Sequence, residues 1–513
     1  MLPKKQKVIQ SSIPFKKVGI IGGGTAGYFS ALAFKKYSPQ TEVVLIESDK
    51  IPIIGVGEAT TRAIIVFLHK VLGFEVSEFF REVQPTYKLG IRFEWGSNSD
   101  GYFNYPFERN ESYTAHNLCG NSNLGSLSSV LMSAGKSFIT SSDDQYMGYG
   151  ALINGSNYAY HLDNATFTTY LKKKARERGV SIVNTTIQDV RTTADGDIDV
   201  LLDANGDTHQ FDFYVDCSGF RSILVGQALN TRFVDFSDSL FTNRALVTAK
   251  SNSNNPMPYT TATTMNNGWL WNTPLRSDDH LGYVYSSDFC SDDEAYDELK
   301  SMNPEIDGAK LVKFRTGRLE KCWRGNAMAI GNSFGFVEPL ESTGIQMIIT
   351  GLYSLFGNLE KYNSIERARV EVNRELDESW NHLRWFITWH YCFNKKLDTE
   401  FWKKVRNDSN VSGYDSFMEY YLDRGPFKKE ENFADVRLAK MLKGALFRQN
   451  GLDCILVGQG MFPTTRDNNL LSSSARLVNK VHLWQKMSDN ALSHIDALKV
   501  VEQNPDLLKI DEL

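Results

Sequence analysis

The sequence predicts an α/β protein that continues into a mostly helical C-terminal region. Residues 18–21 form a short apolar run that enters a Gly-x-Gly-x-x-Gly turn at Gly22, Gly24 and Gly27. Residues 25–36 favour a helix, and residues 42–47 form a second apolar run that ends in an acid. Together these segments are typical of a βαβ unit. From residue 346 onward the apolar residues recur mostly at helical spacing.

The glycine turn predicts a dinucleotide-binding site. Such a turn lets the backbone approach a pyrophosphate, whose negative charge is favoured at a helix N-terminus. We therefore expect the nucleotide to contact the turn and the first helical residues, Thr25 and Ala26. Glu47 follows Gly27 by 20 residues. This is the sequence spacing expected for a carboxylate that accepts a hydrogen bond from a ribose hydroxyl.

Two later segments favour FAD over NAD. Residues 160–219 suggest a helix, a strand and a hairpin, and then an apolar strand that ends in small residues. Residues 327–332 form another strand, which ends in Gly331 and Asn332 and is followed by helical sequence from about Ile345. This pattern resembles the glutathione-reductase-type FAD-binding fold. The helix N-terminus would point its N–H groups at an anion or at the flavin.

The FAD-binding module is therefore expected to be discontinuous. We assign residues 1–16 to a polar N-terminal tail and residues 17–345 to the module. Insertions at about 85–160 and 232–315 would carry substrate recognition. Residues 346–513 would form a mostly helical region that completes the substrate pocket.

Composition excludes several classes of partner. The chain has 513 residues and a net charge of −5, so it lacks the general basic character of proteins that bind nucleic acid or anionic membranes. Its six cysteines form no C-x-x-C pair, and no apolar run approaches the roughly 18 residues needed to span a bilayer. We expect a soluble cytoplasmic protein with no metal site. Homo-oligomer formation is compatible with the sequence.

Several motifs resemble those of the flavin-dependent halogenases, most closely the tryptophan halogenase branch. Beside the N-terminal glycine turn, the similar segments are residues 55–60 (GVGEAT), 85–93 (PTYKLGIRF), 268–274 (GWLWNTP), 331–344 (GNSFGFVEPLESTG) and 458–463 (GQGMFP). Thr273 stands where the W-x-W-x-I-P motif of the family has Ile. The resemblance adds Gly57, Ala59, Gly331 and Phe336 to the residues expected at the FAD.

The resemblance implies a specific chemistry. Reduced FAD reacts with O2, and a chloride or bromide ion is oxidised to hypohalous acid. Backbone N–H groups of Thr343 and Gly344 would hold the halide, Lys88 would receive the hypohalous acid, and Glu341 would assist the attack on an aromatic ring. Without the resemblance, Lys88 would be interpreted as a solvated strand residue and Glu341 as an acid at a helix N-terminus.

Aromatic residues provide candidates for the substrate pocket. The candidate ring-stacking or shielding residues are Phe103, Phe107, Trp269, Trp271, Trp389 and Tyr391. The stretch 102–107 lacks the histidine that sandwiches the indole in the tryptophan-specific enzymes. We therefore expect a broader indole- or phenol-type substrate rather than free tryptophan. His116, His161 and His390 are interpreted as structural or surface histidines.

Only one dinucleotide fingerprint is visible, so a separate flavin reductase is expected to supply the reduced FAD. Two alternatives remain at this stage. A flavin-dependent aromatic monooxygenase would share the fold but would not need Lys88. A flavoprotein with a structural or sensory FAD would retain the cofactor tightly and would catalyse no halide-dependent turnover.

Overall fold

The computed structural model describes residues 13–51, 57–95, 100–141, 149–153, 157–412, 415–424, 442, 445–447, 449–462 and 474–508. Residues 1–12 of the proposed tail lie outside this part of the chain. Ile13 and Phe15 are buried, and the ring of Phe15 stacks on Phe213 with centroids 4.4 Å apart. Phe15 therefore packs on strand residues of the module although it precedes residue 17, the expected start of the module.

The strands follow the chain in this order: β1 (Lys17–Ile21), β2 (Glu42–Glu47), β3 (Glu58–Ala59), β4 (Thr86–Lys88), β5 (Gly90–Glu94), β6 (Phe103–Pro106), β7 (Lys136–Ser141), β8 (Tyr149–Ala151), β9 (Ala159–Leu162), β10 (Ser181–Asn184), β11 (Ile187–Thr192), β12 (Ile198–Asp203), β13 (Thr208–His209), β14 (Phe213–Asp216), β15 (Phe233–Asp235), β16 (Arg244–Ser251), β17 (Thr260–Met265), β18 (Gly268–Pro274), β19 (Asp278–Tyr285), β20 (Lys310–Lys313), β21 (Gly317–Leu319), β22 (Trp323–Arg324), β23 (Ala327–Ala329), β24 (Gly335–Phe336) and β25 (Ala491–Ser493).

The α-helices are α1 (Thr25–Tyr37), α2 (Ala63–Ile65), α3 (Val76–Val83), α4 (Ser112–Cys119), α5 (Leu127–Ala134), α6 (Asn164–Glu177), α7 (Asp292–Met302), α8 (Gly344–Lys361), α9 (Ile365–Phe393), α10 (Glu400–Asp408), α11 (Asp415–Arg424), α12 (Gln449–Gly458), α13 (Ser474–Asp489) and α14 (His494–Gln503). Across the described ranges, the C-terminal region is mostly helical, as the sequence predicts. No helix in those ranges has both the length and the apolar character needed to cross a membrane.

The first sheet forms the core of the FAD-binding module. Its strand order is β10-β2-β1-β14-β23-β22, and all neighbours are parallel except the β22–β23 hairpin. Strand β1 is apolar because it lies in the middle of the sheet, between β2 and β14. Helix α1 packs against α6 and α8. The strands of this sheet come from three separated stretches, so the expected discontinuous α/β fold is confirmed.

The second large sheet combines strands from the two expected insertions. Its order is β20-β16-β19-β18-β17-β5-β6, and the pairing of β17 with β5 is its only parallel pairing within the described residues. A Cβ atom at Gly282 would lie 1.9 Å from the indole of Trp271. The absence of a side chain at Gly282 therefore leaves room for that ring on the sheet. The assignment of substrate recognition to these segments stays a prediction.

Candidate active site

A cavity of about 880 Å³ opens at the carboxyl end of the central parallel sheet. Parts of its wall lie at the ends of five strands: residues 22–26 after β1, 47–49 at β2, 185–187 after β10, 217–221 after β14 and 330–332 after β23. Alternate residues of the second sheet, including Ala245, Val247, Trp271 and Thr273, form an apolar wall. This is where ligands bind in open α/β sheets.

The glycine turn is tightly packed on one side and open on the other. Gly22 has φ +125°, and a Cβ there would lie 2.1 Å from the Cys217 carbonyl oxygen. A Cβ at Gly27 would lie 1.8 Å from the Gly22 carbonyl oxygen, whereas one at Gly24 would meet no atom within 4 Å. Gly24, Thr25 and Ala26 border the cavity, and α1 begins there without a side-chain cap. The first N–H groups of the helix are thus available to a phosphate.

Glu47 ends β2 at the wall of the cavity, as the βαβ pattern predicts. The Tyr28 hydroxyl donates a 2.5 Å hydrogen bond to its Oε2, and Lys172 Nζ lies 2.5 Å from its Oε1. Burial, reinforced by this carboxylate, raises the pKa of Tyr28. The carboxylate is therefore held in a fixed position, and its contact with a ribose stays a prediction.

The loop after the second strand is described from Gly57 onward, so Gly55 and Val56 of its motif lie outside the described residues. Gly57 and Ala59 border the cavity, and their contact with FAD stays a prediction. The Gly57 N–H donates a 2.7 Å hydrogen bond to His280 Nδ1. Burial raises the pKa of Glu58, which also borders the cavity, to about 7.

The 331–344 motif forms the opposite end of the cavity. Gly331 has φ +66°, and a Cβ there would lie 3.1 Å from the Cβ of Ala26, so the turn packs on the start of α1. Phe336, Thr343 and Gly344 all line the cavity. Helix α8 begins at Gly344 without a side-chain cap, and a Cβ at that position would meet no atom within 4 Å. The arrangement leaves N–H donors and open space for an anion.

Lys88 lies just beyond this end of the cavity. It is completely buried on β4, and its Nζ donates a 2.6 Å hydrogen bond to Ser342 Oγ. Ser342 borders the cavity, so its hydroxyl links the cavity to the lysine. The same Nζ lies 5.5 Å from the ring centroid of Phe107. Burial lowers the pKa of Lys88 to about 7, and the charge of Glu341 partly opposes this effect.

Glu341 is also buried, and it pairs with a histidine that the sequence analysis leaves outside the site. Glu341 Oε1 lies 2.6 Å from Nε2 of His390, which α9 carries, and His390 Nδ1 lies 2.8 Å from the Phe386 carbonyl oxygen. That carbonyl can only accept, so Nδ1 carries a hydrogen. The 2.6 Å contact between Nε2 and Oε1 is therefore a hydrogen bond that fixes the Glu341 carboxyl against His390. Burial raises the pKa of Glu341, while the hydrogen bond from His390 and the charges of His390 and Lys88 lower it.

Of the two interpretations of His390, structural or surface, burial supports the structural one, and the residue lies in direct contact with Glu341. His161 is a buried structural residue, which bonds to Thr86 and Thr260. His116 stacks on Phe462. In the part of the chain that the structure describes, no three His, Cys, Asp or Glu side chains are grouped as a metal site requires.

A second buried acid, Glu338, organises two of the aromatic candidates. Its Oε2 accepts hydrogen bonds from Trp269 Nε1 at 2.7 Å, from Thr242 Oγ1 at 3.1 Å and from the hydroxyl of Tyr391. Burial raises its pKa, and these three hydrogen bonds oppose the rise. Trp269 and Tyr391 therefore fix Glu338 in place, three residues before Glu341.

The other aromatic candidates occupy different surroundings. Of the six, only Trp271 borders the flavin-sized cavity, and Phe107 lies beside Lys88. Phe103 stacks on Phe93 with centroids 5.1 Å apart. Trp389 packs on Trp385 with centroids 4.4 Å apart. Phe103, Trp389 and Tyr391 are enclosed by protein side chains, and their contact with a substrate stays a prediction.

The family model for tryptophan halogenases matches residues 17–474 of the chain. The chain belongs to the tryptophan halogenase family. Tryptophan 7-halogenase RebH of Lentzea aerocolonigenes is 31% identical over 445 residues, which cover 79% of this chain and 81% of RebH. The protein is therefore a flavin-dependent halogenase that acts on an aromatic substrate.

Solved structures of halogenases share the fold over nearly the whole chain. MibH, a lanthipeptide tryptophan 5-halogenase, has a TM-score of 0.89 and 36% identity, and the match covers 97% of this chain and 96% of MibH. BrvH, a flavin-dependent halogenase from Brevundimonas sp. BAL3, has a TM-score of 0.82 and 26% identity, with 96% of this chain and 100% of BrvH covered.

The residues of this halogenase fit FAD, the cofactor that the family implies. The cavity is continuous from the glycine turn to the N-terminus of α8, and the space at Gly24 is open to it. The three chain segments that the sequence assigns to FAD all border this one cavity.

Sequence reasoning assigned no role to Ser342, Glu338 or His390. Ser342 and Glu338 lie inside the 331–344 motif, so their position close to Glu341 was the available signal. His390 lies 49 residues from Glu341 in an aromatic-rich helix, and no local pattern distinguishes it from a core histidine.

Proposed function

We propose that this protein is a two-component halogenase that uses FADH2, O2 and chloride or bromide to halogenate an indole-type ring. The observation that carries the proposal is the 2.6 Å hydrogen bond from Lys88 to Ser342, a residue of the flavin cavity. It supports the transfer of an oxidant from the cavity to a lysine that is enclosed in protein. A flavin reductase supplies the FADH2 from solution.

FADH2 bound in the cavity supplies the reducing electrons with which O2 converts the halide into hypohalous acid. The glycine turn and the first residues of α1 hold its pyrophosphate. Glu47, which Tyr28 and Lys172 hold in position, accepts a hydrogen bond from a ribose hydroxyl. Trp271 and its apolar neighbours exclude water from the wall opposite the sheet.

Thr343 and Gly344 hold the halide at the start of α8. The partial positive charge of a helix N-terminus favours an anion, and the missing side chain at Gly344 leaves room for one. No carboxylate of the 331–344 motif competes for these N–H groups, because Glu338 and Glu341 are each bonded elsewhere.

Lys88 positions the hypohalous acid. Since its pKa is about 7, both forms of the side chain exist near neutral pH. The ammonium donates a hydrogen bond that polarises the oxidant, and the amine can itself be halogenated. As the carbon–halogen bond forms, the oxygen–halogen bond breaks, and the departing hydroxide takes a proton from the Lys88 ammonium and leaves as water.

Glu341 accepts the proton that the aromatic carbon loses. The carboxyl is held by His390, which is held in turn by the Phe386 carbonyl. A base positioned in this way suits proton removal from a cationic ring intermediate. Tryptophan is named as the substrate of RebH and MibH, so we place an indole ring between Lys88 and Glu341.

The test is a mass-spectrometric assay with FAD, a flavin reductase, NADH, O2 and bromide or chloride. The substrates are indole, free tryptophan, a tryptophan-containing peptide and a phenol. Wild type is compared with Lys88→Met, which removes the charge at similar volume, and with Lys70→Met, a surface control. We expect a halogen isotope pattern in wild type and the control, and its loss in Lys88→Met.

Oxygenated products from both wild type and Lys88→Met would identify a monooxygenase and contradict the proposal. The reductase requirement is tested separately. Chemically reduced FAD should replace the reductase and NADH, whereas NADH and FAD without a reductase should give no product.

A further inference from the structure

A second cavity of about 320 Å³ lies beside the flavin cavity. The two cavities share a wall made of Phe220, Phe314, Asn332, Gly335 and Phe336. Strand β20 and the residue after it serve both: Val312 borders the flavin cavity, Lys313 borders the second one, and Phe314 borders both. The second cavity is therefore an annex of the flavin site.

The annex is lined by cations. Arg244 and Lys313 are direct cross-strand partners on β16 and β20, and Arg315 also lines the cavity. Like charges placed directly opposite one another destabilise an antiparallel pair. None of the lining residues is an acid, and the nearest ion-pair partner of Arg244 is Asp292, at 3.9 Å.

The two remaining cations are not neutralised by the protein. Lys313 and Arg315 form no ion pair with a carboxylate of the described residues. The Arg315 guanidinium lies over the ring of Phe233, 4.4 Å from its centroid. This stacking holds the guanidinium at the cavity and leaves its N–H donors free for an anion.

A buried hydroxyl also lacks a partner in the annex. Ser333 is 2% exposed, and its Oγ has no hydrogen-bond partner in the structure. A buried hydroxyl is normally hydrogen-bonded, because leaving it unpaired costs free energy. Ser333 thus adds an unpaired hydroxyl to the wall that the three cations also line.

We propose that this annex binds the pyrophosphate of FAD while the dinucleotide enters and leaves the flavin cavity. The inference rests on the proposed function, in which FADH2 arrives from solution. The shared wall places the annex directly beside the final site. The protein carries a net charge of −5, which opposes the approach of an anionic dinucleotide, and a local cluster of cations offsets that repulsion.

The test measures FAD association by stopped-flow flavin fluorescence, with no turnover. The variant is Lys313→Gln/Arg315→Gln, and the matched control is Lys310→Gln, an exposed lysine on the same strand that does not line the annex. We expect the FAD association rate constant of the double variant to fall at least about five-fold at low salt. The difference should shrink as salt is added, and the control should match wild type.

A second measurement separates binding in the annex from long-range attraction. Inorganic pyrophosphate should slow FAD association more in wild type, where it can occupy both the annex and the glycine turn, than in the double variant, where only the glycine turn remains to bind it. Equal FAD association in the double variant and the control, or equal slowing of both proteins by pyrophosphate, would overturn the inference. If the annex results hold while wild type fails to halogenate, the halogenase proposal fails and the annex does not.

Discussion

Lys88 Nζ lies 2.6 Å from Ser342 Oγ, although the two residues are 254 positions apart in the chain. The serine borders the flavin cavity and the lysine does not. One hydroxyl group thus stands between the cavity in which we propose that the oxidant forms and the side chain proposed to receive it.

Replacing Ser342 should slow catalysis without weakening substrate binding. The Ser342→Ala variant removes the acceptor of the Lys88 hydrogen bond, so we expect kcat to fall about ten-fold or more, with KM for the aromatic substrate nearly unchanged. Because Ser342 has φ +57°, Ser342→Gly removes the hydroxyl and relieves the backbone. The two variants should lose similar activity, and full activity in Ser342→Gly would contradict a role for the hydroxyl.

The buried lysine should make stability depend on pH. Folding lowers the pKa of Lys88 from 10.5 to about 7, so between these pH values the unfolded chain binds more protons than the folded one. The buried lysine therefore lowers the free energy of unfolding by its full amount below pH 7. This loss of stability becomes smaller as pH rises from 7 toward 10.5. Lys88→Met should be more stable than wild type by up to about 5 kcal/mol at low pH.

The difference in free energy of unfolding between Lys88→Met and wild type is measured by urea unfolding at a series of pH values. This difference should become steadily smaller above pH 7. Lys70→Met, at an exposed position, should show no such trend. A constant difference between Lys88→Met and wild type from pH 6 to pH 10 would show that the folded-state pKa of Lys88 is not lowered.

His390 should set the protonation of Glu341. Its hydrogen bond and charge lower the pKa of Glu341 against the effect of burial. In His390→Gln we expect the acid limb of the kcat profile to move to higher pH, because Glu341 must be ionised to accept a proton. His382→Gln is the control. Both histidines lie on α9, and each bonds the backbone carbonyl four residues earlier: His382 bonds that of Glu378, and His390 bonds that of Phe386. An unmoved acid limb would indicate a structural role only.

Gly344 should control halide affinity. A methyl group there meets no protein atom within 4 Å, so Gly344→Ala should fold normally and place that methyl in the proposed halide site. We expect the KM for bromide or chloride to rise about ten-fold with an unchanged melting temperature. Gly357→Ala is the matched control on α8, where a Cβ also meets no atom within 4 Å. Equal halide KM values in the two variants would place the anion elsewhere.

Local patterns predicted the parts of the site that depend on one chain segment. Three such parts were predictable: the glycine turn, the second strand with Glu47, and the start of α8 near residue 345. Each depends on the conformational preferences of a few adjacent residues. The confirmed helical C-terminal region follows in the same way from the spacing of its apolar residues.

Contacts between distant segments were not predictable. The burial of Lys88 could not be predicted, because an alternating apolar and polar pattern around it is equally compatible with a solvent-exposed lysine. The pairing of Glu341 with His390 joins a short motif to a long helix, and the bonds from Trp269 and Tyr391 to Glu338 join a sheet to the same helix. Such contacts depend on how the elements pack, which the spacing of residues within each element does not encode.

The parallel pairing of β5 with β17 has a consequence for how the protein is made. Within it, Thr263 bonds to Glu94 across 169 residues of chain. On the ribosome, β5 emerges long before its neighbour exists, and its open edge can pair with other nascent chains in the meantime. Pairs so distant in sequence also form slowly. Yield on overproduction should therefore depend on chaperone supply and on the rate of translation.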